Sequence, residues 1–273
     1  MTGPNPRHAS NRAAAERAPM FILSAPRTGS TLLRCILDTH PDLHCPGELR
    51  LGPIIEYLAS SHRYTDDAVT TDRASTTSFR RARRLIEAFM GDLCRDVGKP
   101  RWCEKTPLNA YHIAFIHATF PEAFYVCLHR QPLDAIRSTI QGGLMEHAMP
   151  TWKYSDQEIV NIAVERWCDW TQKILAFERV CPEKCIRVKY EQLVSAPHDT
   201  INQVLAFAHF HLMPCIVEDA FATRHADGIG DFKFVDTVGI TRDRIGDGLT
   251  LDVSGVPSTL RHRVVGLMDA LEY

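Results

Sequence analysis

Two hydrophobic rhythms alternate along the chain: short unbroken apolar runs, and stripes that recur every third or fourth residue. Runs bounded by polar or turn residues predict buried strands, whereas the stripes predict amphipathic helices. Strands are expected at Phe21 to Ser24, Ala123 to Leu128 and Cys185 to Val188, with a weaker candidate at Arg101 to Glu104. Helices are expected at Ser30 to Thr39, Ile54 to Ser60, Phe79 to Asp96, Tyr111 to Phe120, Leu133 to Ile140, Asp156 to Val180, Ile201 to Phe210, Pro214 to Thr223 and Ser258 to Leu271. His40-Pro41 ends the first of these and Gly142-Gly143 the one that starts at Leu133, since a proline and a glycine pair both disfavour continued helix. The polar stretch Ser61 to Thr77 reads as a surface loop and the Gly- and Asp-rich stretch Asp227 to Pro257 as a long lid.

Strands that alternate with helices imply an α/β fold, a central parallel β-sheet flanked by helices, with ligands bound beyond the carboxyl ends of the strands. The chain has 273 residues and no Gly/Ser/Pro-rich linker through its middle, which points to one domain over residues 20–273. Residues 1–19 place Arg7, Arg12 and Arg17 among Pro, Asn, Ala and Ser and are expected to form a disordered arm. No apolar run matches a signal peptide or a bilayer span, and a formal charge of −2 offers no global field for nucleic acid or a membrane surface. Nine cysteines scattered through strand and helix segments fit reduced thiols and a cytoplasmic protein.

Chemistry concentrates where the first strand meets the first helix, in Pro26-Arg27-Thr28-Gly29-Ser30-Thr31. Such a P-loop-like junction aims several backbone N–H groups and the positive end of a helix dipole at one spot, a cradle for phosphate or sulfate. It departs from the nucleoside-triphosphatase loop G-x-x-x-x-G-K-[ST]: Ser24 replaces the first Gly, Ser30 replaces the Lys, and the cation moves forward to Arg27. Lys105, Arg130 and Lys189 likewise follow strand candidates, so four cations gather at one rim of the sheet and describe a local pocket for a polyanion. In His129-Arg130-Gln131-Pro132 the loop can fold back so that Arg130 and Ser138 reach one phosphate. Two phosphate sites on adjacent strand ends suit a 3′,5′-bisphosphonucleoside.

At these residues the sequence resembles the sulfotransferases that use 3′-phosphoadenosine-5′-phosphosulfate (PAPS), and in pattern it is most similar to the tyrosylprotein sulfotransferases and their soluble bacterial relatives. The loop at Pro26 to Leu32 looks like their 5′-phosphosulfate loop, and Arg130 with Ser138 like their 3′-phosphate motif. Leu37-Asp38-Thr39-His40-Pro41, Glu48-Leu49-Arg50, Lys105-Thr106-Pro107 and Tyr190-Glu191-Gln192-Leu193-Val194 follow in the same order. The resemblance implies a nucleotide-binding transferase that moves a sulfuryl group from PAPS to a hydroxyl, with an amine as second choice, of a small or carrier-bound metabolite. It releases 3′-phosphoadenosine 5′-phosphate (PAP) and requires no metal.

Carried over by position, Glu48 is the general base, Lys105 stabilises the leaving phosphate oxygen and Arg27 neutralises the transferring group. Arg27, Thr28, Gly29, Ser30, Thr31, Arg130 and Ser138 hold the nucleotide, and Tyr190 packs near the adenine. Gly142 stands where the tyrosylprotein enzymes carry a further Arg. Blander readings stand beside each role: Arg27 as part of a helix cap, Glu48 as a loop acid paired with Arg50, Lys105 as a solvated charge, Tyr190, Trp167 and Trp170 as core aromatics. His44 competes with Glu48 as base. The alternative functions are a magnesium-dependent P-loop kinase-like phosphotransferase and a non-catalytic nucleotide-binding protein.

Overall fold

β1 (Met20–Ser24) is the central strand of a five-stranded sheet, and every one of its residues is buried. Covered on both faces, it reads as an unbroken apolar run, as a central parallel strand should. The computed structural model describes residues 18–60, 71–142, 153–223, 225 and 239–273. The expected arm up to residue 17, residues 61–70 of the expected loop and residues 227–238 of the expected lid lie outside the described residues.

After β1 come α1 (Ser30–Asp38), β2 (Leu43–His44), α2 (Leu51–Ser60), α3 (Thr71–Asp96), β3 (Arg101–Lys105), α4 (Ile113–Thr119), β4 (Phe124–His129), α5 (Pro132–Gln141) and α6 (Asp156–Val180). β5 (Cys185–Lys189), α7 (Tyr190–Ser195), α8 (Pro197–Phe207), α9 (Ile216–Ala222) and α10 (Ser258–Leu271) complete it. The strands pair in the order β2-β3-β1-β4-β5, all parallel, so every carboxyl end lies on one edge.

The period-two alternation of the strands splits the core into two layers. Phe21, Leu23, Trp102, Tyr125 and Cys127 face Ala163, Val164, Trp167, Trp170 and Ile174 of α6 together with Leu51 and Ile55 of α2. Met20, Ile22, Cys103, Val126 and Leu128 face Leu33, Ile36 and Leu37 of α1 and Ile201, Val204 and Leu205 of α8. The nine cysteines are free thiols, seven of them buried. Among the described residues no helix is long and apolar enough to cross a membrane.

Several boundaries differ from the pattern-based expectation, each for a local reason. β3 and β5 run one residue further and take in Lys105 and Lys189. α3 starts at Thr71, within the stretch expected as a loop, because its polar opening turns carry no apolar stripe. The helix expected over Tyr111 to Phe120 is a 3₁₀ turn at Pro107–Tyr111 followed by α4. α8 begins at Pro197, whose fixed φ suits the first helical turn, and not at Ile201. α9 runs over Ile216–Ala222, inside the expected helix from Pro214 to Thr223. The two-residue strand β2 and the short helix α7 are too brief to show a period. α6 matches its expected bounds, opened by a reciprocal cap in which Ser155 N–H donates to Glu158 Oε2 at 2.7 Å and Glu158 N–H donates to Ser155 Oγ at 3.4 Å.

Candidate active site

The turn from β1 into α1 uses two left-handed residues, Arg27 at φ 64° and Gly29 at φ 89°. Thr28 Oγ1 donates to Ala25 O at 2.9 Å and closes the loop on itself. No side chain caps α1 and its first turn carries no acid, so its leading N–H groups and positive dipole end face the loop mouth. Thr28 and Ser30 are buried and Thr31 is half-buried. A Cβ on Gly29 would run into the ring of Tyr190, so glycine is required there by space as well as by φ.

The side chain of Arg27 reaches across to α5, where its Nε donates to Ser138 Oγ at 3.3 Å. Gly142 lies beside this guanidinium: a Cβ added there would stand 3.6 Å from its carbon, an ordinary contact. Arg130, just past β4, donates from one terminal nitrogen to Arg27 O at 3.1 Å and from the other to Arg244 O at 2.6 Å. Its guanidinium carbon stands 4.3 Å over the centre of the Tyr190 ring. Its Nε is buried with no hydrogen-bond partner among the described residues. Burial raises the Tyr190 phenol above its ordinary value, against the opposing charge of Arg130.

One strand away, Lys105 at the end of β3 is 1 % exposed, and its Nζ donates to Glu48 Oε1 at 2.5 Å. Glu48 therefore pairs with Lys105. Beside them Glu104 is fully buried; burial pushes its carboxyl up, opposed by donors from Thr106, Asn109 and the Leu49 backbone and by the charge of Lys105.

The structure thus brings Arg27, Arg130, Ser138, Tyr190 and the α1 N-terminus together, with Lys105 and Glu48 on the neighbouring strand end. Lys189, the fourth expected cation, is not directed there: its Nζ donates to Glu272 O at 2.8 Å and sits 4.7 Å from the Tyr273 ring centre. His44 is held in a buried pair, Nδ1 to Asp38 Oδ1 at 3.0 Å. His129, beside Arg130, is paired with Glu178 at 2.8 Å. Trp167 and Trp170 are core residues, yet with Ala25, Pro26, Thr139, Ala163 and Arg166 they also line a small cleft beside the loop.

Sequence reasoning missed two carboxylates that support this region. Glu191 Oε1 accepts from Gln131 N–H at 2.9 Å and Oε2 accepts from the Tyr273 hydroxyl at 2.9 Å. Asp134 accepts from Gly246 N–H at 2.9 Å and Gly248 N–H at 2.6 Å, which docks the late segment on α5. Gly246-Asp247-Gly248 was the available signal, a turn that packs its second glycine against Leu133. Among the described residues one His/Asp group, His40, Asp42 and His211, is close enough to hold a metal ion. Its His40 nitrogens already face Asp42 N–H and His211 O, and it lies at the far end of α1.

With this geometry in view, the likenesses to known proteins are informative. Residues 19–213 match the model of the sulfotransferase family. The chain is similar to a Caenorhabditis briggsae protein named as a protein-tyrosine sulfotransferase, 29% identical over 190 residues that make up 69% of this chain and 64% of that protein. It is 26% identical over 199 residues to protein-tyrosine sulfotransferase 1 of Danio rerio, covering 69% of this chain and 52% of the relative. The chain therefore spans only part of the length of these relatives. The solved sulfotransferase domain of the Synechococcus PCC 7002 olefin synthase superposes with a TM-score of 0.70 over 94% of this chain and 96% of its own, at 21% identity, a likeness of fold.

Proposed function

Because the chain belongs to the sulfotransferase family, we propose that it transfers a sulfuryl group from PAPS to a hydroxyl, or as second choice an amine, of a small or carrier-bound acceptor. The observation that carries this reading is the contact of Arg130 with the Arg27 backbone at 3.1 Å, which joins two anion-binding elements at adjacent strand ends. The uncapped start of α1 and the glycine that lets Tyr190 approach fit a 5′-phosphosulfate. The buried, unpartnered Nε of Arg130 fits a second phosphate reached from the neighbouring loop.

When bound, the donor supplies an activated sulfuryl group: a sulfur–oxygen bond forms to the acceptor, and the bond to the bridging phosphate oxygen breaks. Glu48 Oε takes the acceptor's proton, so that the attacking oxygen carries its lone pair without a second charge to shed. Lys105 Nζ neutralises the leaving phosphate oxygen, and its contact with Glu48 keeps the two groups side by side. Arg27, anchored on Ser138, holds its charge where negative charge spreads over the equatorial oxygens. The chain's own groups supply each of these charges.

The acceptor's approach is assigned to the cleft walled by Pro26, Trp167 and Trp170, which opens beside the loop. Its apolar walls suit a hydroxyl carried on an apolar or aromatic body, tyrosine peptides included. The test is Glu48→Gln, which keeps the shape and removes the base. We expect kcat to fall by at least about 100-fold with PAP affinity changed less than about two-fold, as general-base removal does. Full activity in this variant removes Glu48 from the role.

A further inference from the structure

Glu104 and Lys105 are neighbours on β3 and point to opposite sides of the strand. Lys105 meets the Glu48 carboxylate, while Glu104 meets the backbone that follows Glu48. Glu104 Oε1 accepts from Leu49 N–H at 3.1 Å and from the Thr106 hydroxyl; Glu104 Oε2 accepts from Asn109 Nδ2. Thr106 Oγ1 in turn accepts from Arg50 N–H at 3.0 Å, and Asn109 Oδ1 from Gly52 N–H at 2.9 Å.

Thr106 Oγ1 accepts the Arg50 N–H and donates to Glu104, and the Asn109 oxygen faces Gly52 N–H while its amide nitrogen faces Glu104. The fully buried carboxylate thus collects donors from both residues and from Leu49, and together the three side chains hold the amides of Leu49, Arg50 and Gly52. The held backbone needs holding: Arg50 sits at φ 57°, an unfavourable region for a side chain of its size. A Cβ on Gly52 would lie 2.7 Å from Asn109 Oδ1, so the clamp closes on glycine at that point.

We infer that Glu104, Thr106 and Asn109 are positioning residues that fix the loop carrying Glu48, so that its carboxylate stands at a set distance from Lys105 and from the acceptor oxygen. The inference rests on the reading of Glu48 as the base. A plain helix cap for α2 would use the same hydrogen bonds, but it would support stability alone and would not act on the chemical step. Small displacements of a catalytic group cost rate far more than binding, and that difference separates the two.

Thr106→Val keeps the shape and removes both the donor to Glu104 and the acceptor for Arg50. We expect kcat to fall about 10- to 100-fold while donor KM and PAP affinity change less than about two-fold, and Thr106→Ser to restore the rate to within about three-fold. In the Glu48→Gln background Thr106→Val should lower the residual rate by less than about two-fold, because the base it positions is gone. Asn109→Ala, which releases Gly52 and removes one donor to Glu104, serves as the second variant and is read in the same way. Unchanged kcat in both variants while Glu48→Gln is inactive overturns the clamp and leaves the base standing. An equal loss with and without Glu48 reduces the clamp to a structural cap and overturns it too. Full activity of Glu48→Gln overturns the base reading, and the positioning role falls with it.

Discussion

Gly29 is held to glycine by its backbone at φ 89° and by the Tyr190 ring against its α-carbon. Gly29→Ala should therefore cost about 1–3 kcal/mol of stability, read by urea denaturation, and should weaken PAP binding through displacement of Tyr190. Arg130→Ala should raise the PAP dissociation constant about 10- to 100-fold, the cost of a charge-assisted contact, and should leave kcat less affected than donor KM. An unchanged PAP affinity would remove the 3′-phosphate from this residue. Arg27, Gly29 and Arg130 were legible in the sequence because each sits in a short loop between a recognisable strand and helix. Glu104 was not, since an acid in a weak strand candidate carries no sign of what it holds, and its partners in the loop after Glu48 are backbone amides. Lys189 was over-read: it is the last residue of β5, and Glu272 and Tyr273 draw its side chain away.

The far end of α1 is secured by one carboxylate. Burial raises the Asp38 carboxyl, but hydrogen bonds from His225, His44 and the Cys45 backbone, with the charge of Lys99, outweigh it and hold it well below the usual range. A group depressed in the folded state lends stability that is fully present above its unfolded value of about 4 and is lost as pH falls toward the folded value. Asp38→Asn should cost about 3 kcal/mol at pH 7, and its deficit relative to the parent should shrink below about pH 4 in denaturation curves taken at both pH values. A constant deficit would contradict the ionised role. Long elements were legible because several turns repeat the stripe: α6 and α10 have the bounds the pattern predicts. β2, with two residues, and the polar start of α3 were not, since their placement comes from pairing and packing and not from local period.

Across the whole molecule, the rule that parallel strands present their ligand sites at the carboxyl edge was legible from the alternation of strands and helices alone, and the sheet order puts the β1 and β4 loops side by side. The docking of the late segment on Asp134 was not legible, because it depends on contacts between residues far apart in the chain. Burial also sorts the thiols: it pushes Cys35 and Cys168 up to about 11, while Cys215 is exposed. A thiol reagent at pH 8 should therefore modify Cys215 first and the buried cysteines only on unfolding, as peptide mass mapping would show. The central claim is that two anion sites on adjacent strand ends bind one doubly phosphorylated nucleotide. Calorimetric titration, comparing PAP and adenosine 5′-phosphate without metal with ATP in the presence of magnesium, tests it most directly. The account predicts PAP binding at least about tenfold tighter than adenosine 5′-phosphate, an advantage that Arg130→Ala abolishes. Equal affinity for PAP and adenosine 5′-phosphate, or a preference for magnesium-ATP, would contradict it.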